Sequence, residues 1–162
     1  IHISTDYVFD GKKNGPYTVI DKPNPINEYG KSKLLGEQYI QEILNKYFII
    51  RTSWLYSKKY GNNFFRTILK KAQTQKELFV TTNQKGCPTD TLNLSKFVIN
   101  LIKNNNQNYG VYHFCDGIEM TWYDFAKSIL EENKLIDKIS LVEAKNYITF
   151  ADRPKYSVLV NN

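Results

Sequence analysis

Residues 27–56, NEYGKSKLLGEQYIQEILNKYFIIRTSWLY, set a helical pattern directly before a strand-like one. Asn27 suits an N-cap, because its side-chain oxygen can accept from a free backbone N–H of the first turn. The spacing beyond it predicts a helix through Tyr29, Lys33, Leu34, Leu35, Tyr39, Ile40, Ile43 and Leu44. Residues 47–56 then read as one strand, whose continuous apolar start suits a sheet covered on both faces. Upstream, residues 1–3 are β-prone and residues 4–11 read as a strand end with a polar turn. Pro16, Pro23 and Pro25 forbid regular helix in the loop that follows. Downstream, residues 62–72 predict a helix with Phe64, Phe65, Ile68, Leu69 and Ala72 on one side. Residues 78–82 predict a short strand. Another helix opens at Thr91 or Asn93 and turns Leu94, Phe97, Val98, Leu101 and Ile102 inward. Residues 111–115 read as strand. Thr121 and Asp124 form a capping-box pattern for a helix carrying Trp122, Phe125, Ile129 and Leu130, and residues 139–142 read as the last strand. Alternating strands and helices argue an α/β fold.

The chain has 162 residues, a length for one domain or two small lobes sharing a core, and 41% of them are hydrophobic against 23% charged. Disorder is excluded by that balance. The net charge is +6, but only Arg51, Arg66 and Arg153 of the 22 cationic residues are arginines. Bidentate recognition of phosphates and bases prefers arginine, so a lysine-rich solvated surface is expected and a nucleic-acid partner is not. Cys87 and Cys115 are too few for a disulfide framework and lack metal-knuckle spacing, which fits a reducing cytoplasm. The apolar runs fall far below the ~20 residues that span a bilayer, so no membrane role is expected. Ile1 is not a methionine and the text opens in mid-strand, so an internal segment of a longer polypeptide is expected.

Tyr29 and Lys33 lie four apart, on one face of the predicted helix. An ammonium near a phenol favours the phenolate and brings such a group toward proton transfer near neutral pH. Gly30, Ser32 and Gly36 in the same helix are small enough to admit close approach.

Three stretches, STDYVFDG at 4–11, YGKSKLLGE at 29–37 and RTSWLY at 51–56, together resemble the dTDP-4-dehydrorhamnose reductase family of extended short-chain dehydrogenases/reductases. GNNF at 61–64, GCPT at 86–89 and RPKYS at 153–157 resemble that family's later motifs in the correct order. The resemblance implies a nucleotide-sugar substrate whose 4-keto group is reduced with NADPH or NADH. It makes Tyr29 the general acid, Lys33 the residue that tunes it and holds the nicotinamide ribose, and Thr5 the hydroxyl that meets the substrate oxygen. Asp6, Tyr7 and Trp54 fall at sugar-pocket positions, and Arg153 in a loop that approaches the nucleotide. The implied architecture is the C-terminal part of a Rossmann-type parallel sheet, with the catalytic helix in residues 1–56. A smaller substrate-binding lobe lies mainly in residues 57–162, interleaved with the sheet.

No glycine-rich dinucleotide fingerprint occurs in the 162 residues, so this polypeptide alone is expected neither to bind NADPH tightly nor to turn over. Some relatives bridge a homodimer through glutamate-held magnesium. Here Asp90-Thr91-Leu92-Asn93 carries no glutamate, so no such metal site is expected and a homodimer stays open. Tyr7 stands where a related 4,6-dehydratase carries an acid, which disfavours dehydration. A 4-epimerase and a non-catalytic regulatory subunit of similar fold remain alternatives.

Overall fold

A computed structural model describes residues 1–144 and 149–162. In chain order the elements are β1 (His2–Thr5), α1 (Glu28–Ile43), β2 (Phe48–Thr52), β3 (Leu55–Tyr56), α2 (Phe64–Ala72), β4 (Glu77–Val80) and β5 (Lys85–Gly86). They continue with β6 (Thr89–Asp90), α3 (Thr91–Lys103), β7 (Gly110–His113), β8 (Met120–Thr121), α4 (Trp122–Glu132) and β9 (Ser140–Glu143). The fold is α/β, as expected.

Asn27 caps α1 as its side chain predicts, accepting from Gly30 N–H at 2.8 Å. The helix connects β1 to β2, which pair in parallel from His2 against Ile49 to Thr5 against Thr52. β7 completes the sheet on the far side of β2, also in parallel. Every residue of β2 is buried, as a central strand of a covered parallel sheet requires. Phe48 and Ile50 pack there against Leu94 and Leu101 of α3.

The single strand expected over residues 47–56 is two. Trp54 adopts a left-handed backbone (φ 47°), which ends β2 and turns β3 away to pair with β6 in a separate ladder. A second core lies between α2, α4, β4 and β9, built from Phe65, Ile68, Leu78, Phe125, Ile129 and Leu130. The capping box at Thr121 and Asp124 is present and starts α4. Residues 155–162 then run back across the molecule. Ser157 N–H bonds to the Lys85 carbonyl, Tyr17 N–H to the Val158 carbonyl, and the Asn161 and Asn162 side chains accept from Cys115 and His113 beyond and within β7.

Candidate active site

β1 delivers its last residue, Thr5, to the carboxyl end of the sheet, where ligands of open parallel sheets gather. The Thr5 hydroxyl caps a 3-10 turn over Asp6–Val8 by accepting from Tyr7 N–H at 3.2 Å. α1 packs tightly against this turn at Gly30. A Cβ on Gly30 would stand 2.1 Å from the Tyr7 carbonyl oxygen, so only glycine fits there. That contact sets the neighbouring Tyr29 edge-on to Tyr7, with ring centroids 6.0 Å apart at 80°. Tyr29 remains 55% exposed. One turn on, Lys33 Nζ donates to the Ile3 carbonyl of β1 at 2.6 Å, which holds the ammonium beside the strand that ends in Thr5.

Tyr7, Asn27, Tyr29, Phe150, Asp152 and Arg153 line an open cleft of about 650 Å³. Arg153 also borders a second cavity of about 440 Å³, walled by Phe64, Lys71, Thr81, Gln84 and Trp122. The two spaces therefore both border Arg153. Trp54 supports the second wall: its indole stacks on Trp122 at 3.6 Å and 7°, while Trp122 Nε1 donates to Gln84 Oε1 at 2.9 Å. Gly86 admits this stack, since a Cβ there would lie 2.6 Å from the Trp54 ring.

Asp6 differs from its expected place on the pocket wall. It is 2% exposed, and its carboxyl receives Thr5 Oγ1–H at 3.0 Å and Ser157 Oγ–H at 2.6 Å. The 3-10 turn points it inward, while Tyr7, the next residue, faces the cleft. Burial pushes the Asp6 carboxyl up to about 7. Burial, with the neighbouring Asp6 charge, pushes the Tyr7 phenol up to about 12, so Tyr7 stays a proton-bearing donor. Tyr7, Tyr29 and Arg153 thus share the cleft, while Thr5, itself buried, ends β1 and Lys33 is bonded to the same strand without lining that cleft. Trp54 acts through Trp122 and Asp6 through Thr5. Phe64, Gln84, Trp122 and Ser157 were not identified as site residues from sequence. Trp122 and Phe64 could have been flagged only as aromatics at helix starts, and a core reading serves those equally well.

The RmlD substrate binding domain family matches residues 1–162, the whole chain. The chain belongs to that family. Its similarity extends to the spore coat polysaccharide biosynthesis protein SpsK of Bacillus subtilis (strain 168), at 44% identity over 98% of this chain and 55% of the relative. It is 39% identical to dTDP-4-dehydrorhamnose reductase of Escherichia coli (strain K12) over 98% of this chain and 56% of that protein. Among solved structures, dTDP-4-dehydrorhamnose reductase from Bacillus anthracis str. Ames in complex with NADP superposes with a TM-score of 0.93 at 40% identity. That match covers 99% of this chain and 56% of the other. This RmlD-family chain therefore spans a little over half the length of the relatives it matches. Among the described residues no helix is long and apolar enough to cross a membrane.

Proposed function

We propose that this chain forms the substrate-facing part of an NAD(P)H-dependent reductase. The substrate is the 4-keto group of a dTDP-linked 6-deoxysugar, converting dTDP-4-dehydro-L-rhamnose to dTDP-L-rhamnose in the cytoplasm. The observation that carries the reading is Tyr29 on the wall of a cleft, with Lys33 one turn on bonded to the strand that ends in Thr5, and with Arg153 bordering both that cleft and an aromatic-walled cavity. The names and the NADP complex of the relatives support it.

Tyr29 donates the proton that the C4 oxygen gains, and Thr5 hydrogen-bonds that oxygen. Lys33 stands one turn from Tyr29, where its ammonium stabilises the phenolate left behind. Tyr7 lines the sugar cleft. Arg153, between the two spaces, is suited to the diphosphate, and Lys71 adds a second cation at the far cavity. Phe64 and Trp122 offer flat apolar faces to the base. An exposed Tyr29 with Lys33 beside it fits the nicotinamide end of a dinucleotide, while the 162 residues hold no glycine-rich turn for its pyrophosphate. When bound, the dinucleotide supplies the hydride. In this reading residues 1–56 carry the catalytic helix and residues 57–162 are mainly the substrate-binding lobe, with α3 and β7 returning to the sheet.

The test is stoichiometric. The full natural chain is given NADPH and the dTDP-linked 4-keto sugar, and one NADPH is oxidised per sugar reduced. A changed sugar with cofactor unconsumed would instead identify an epimerase.

A further inference from the structure

The Asp6 carboxyl lies buried between two hydroxyls, with Thr5 Oγ1 at 3.0 Å from one oxygen and Ser157 Oγ at 2.6 Å from the other. Thr5 Oγ1 also accepts from Tyr7 N–H. A hydroxyl has one proton to give and two lone pairs with which to accept. Opposite an ionised Asp6, which only accepts, the single Thr5 proton is committed to the carboxylate. Thr5 then presents a lone pair to any ketone oxygen that reaches it, and two acceptors cannot bond. Opposite a protonated Asp6 the count changes. The acid O–H fills one Thr5 lone pair, Tyr7 N–H fills the other, and the Thr5 proton is free for a carbonyl oxygen brought to it.

We propose that Asp6 works as a neutral acid that orients Thr5 to donate to the substrate carbonyl oxygen, making it a positioning residue for the reduction. This rests on the reductase reading, in which Thr5 meets the C4 oxygen. Neutrality serves the chemistry a second time, because an ionised carboxylate one residue from the site would oppose the negative charge growing on that oxygen. The Asp6 proton is held throughout, and the proton added to the sugar comes from Tyr29. A buried carboxylic acid kept neutral so that it can donate is a known device for such chemistry.

The surroundings favour the neutral form. Burial drives the Asp6 carboxyl up to about 7, against the hydrogen bonds from Ser157 and Thr5 that pull it down. The ionisable groups around it are Tyr7 on its own turn, Tyr29 on α1 and Arg153 in the C-terminal loop, both of which act on Tyr7, and Cys115 beyond β7. Among the described residues no ion pair to Asp6 forms.

The test is the pH profile of kcat/KM for NADPH-dependent reduction of the dTDP-linked 4-keto sugar by the full natural chain, from about pH 5.5 to about 9. Below the Asp6 titration the donor form is populated. Above it activity falls about tenfold per pH unit. Asp6→Asn, whose amide donates to Thr5 at every pH, loses this limb whatever the height of its plateau. A wild-type profile flat through this range, or an Asp6→Asn profile with the limb intact, overturns the proposal. Should Asp6→Asn not fold, Ser157→Ala carries the test: it removes a donor that favours the ionised form, so the limb moves to higher pH, and an unmoved limb overturns the proposal. Tyr29→Phe is assayed alongside. If it turns over normally, the reductase reading itself fails; if it is inactive at every pH while the limb ignores Asp6 and Ser157, only the role of Asp6 fails.

Discussion

Arg51 grips Glu37 of α1 through two donors, Nη2 to Oε2 at 2.7 Å and Nε to Oε1 at 3.0 Å, with the side chains 5% and 0% exposed. Ser4 on β1 donates to the same carboxylate. One acidic residue of α1 is therefore tied to both β1 and β2. Lys33 reaches β1 from the turn before. This pair ties the helix that carries Tyr29 to the strand that carries Thr5.

Removing one partner of that pair strands a buried charge. Glu37→Ala is expected to destabilise the fold by about 3–5 kcal/mol, read as a lower urea midpoint at unchanged slope. Glu37→Gln keeps the shape and part of the hydrogen bonding, so its loss is smaller. A Glu37→Ala protein as stable as the wild type would show that the buried pair does not tie the helix down.

Gly30→Ala tests the approach of α1 to the 3-10 turn. The new Cβ would sit 2.1 Å from a backbone oxygen, which no rotamer can relieve, so helix and turn must part. Tyr29 is the preceding residue, and in the proposed reduction a shift of about 1 Å at the proton donor costs about 100-fold in rate. Steady-state assay of the folded variant should show that loss mainly in kcat.

Tyr29→Phe removes the hydroxyl and leaves the ring against Tyr7. Reduction is expected to fall by about 100- to 10,000-fold, the usual contribution of a positioned general acid, with the circular dichroism spectrum unchanged. Undiminished turnover would take Tyr29 out of its proposed role.

Trp122→Ala separates binding from chemistry. The variant loses the partner that Trp54 stacks on and the aromatic wall of the 440 Å³ cavity, while Tyr29 and Thr5 are untouched. If that wall holds the base, about 1–3 kcal/mol of stacking goes, raising KM about 5- to 150-fold with kcat little changed. A kcat loss with constant KM would place the nucleotide elsewhere.

Local chemistry made much of this legible. The Asn27 cap and the Thr121–Asp124 box each close within three residues, so side-chain type and spacing suffice to read them. Residues 29 and 33 fall on one face for the same reason. Two-residue strands such as β5, β6 and β8 have no period to detect, and the turn at Trp54 depends on a backbone angle that tryptophan rarely adopts. Tertiary partners were out of reach. Ser157 meets Asp6 across 151 positions, and Arg51 and Glu37 bury charge where apolar patterning marks only solvent-facing positions. The family resemblance places Asp6 at the pocket together with Tyr7, but the structure buries it. One step along a tight turn reverses the direction of a side chain.

Two buried groups pull the stability in opposite senses as pH changes. His113 is fully buried, and burial with the nearby Arg51 charge lowers it to about 4 from an unfolded value of about 6.5. Its contribution to stability is present above about 6.5 and is lost as pH falls through about 4. Asp6 is raised to about 7 from 3.8, so its contribution is complete below 3.8 and is lost as pH rises through about 7. Across its window each is worth on the order of 3–4 kcal/mol. In the range between about 4 and 7 the two slopes oppose, and single variants unmask them. Relative to the wild type, the urea-derived stability of Asp6→Asn tilts upward with pH through that range. That of His113→Phe, similar in shape and unable to charge, tilts downward. Parallel curves for all three proteins would mean that neither group changes its proton affinity on folding.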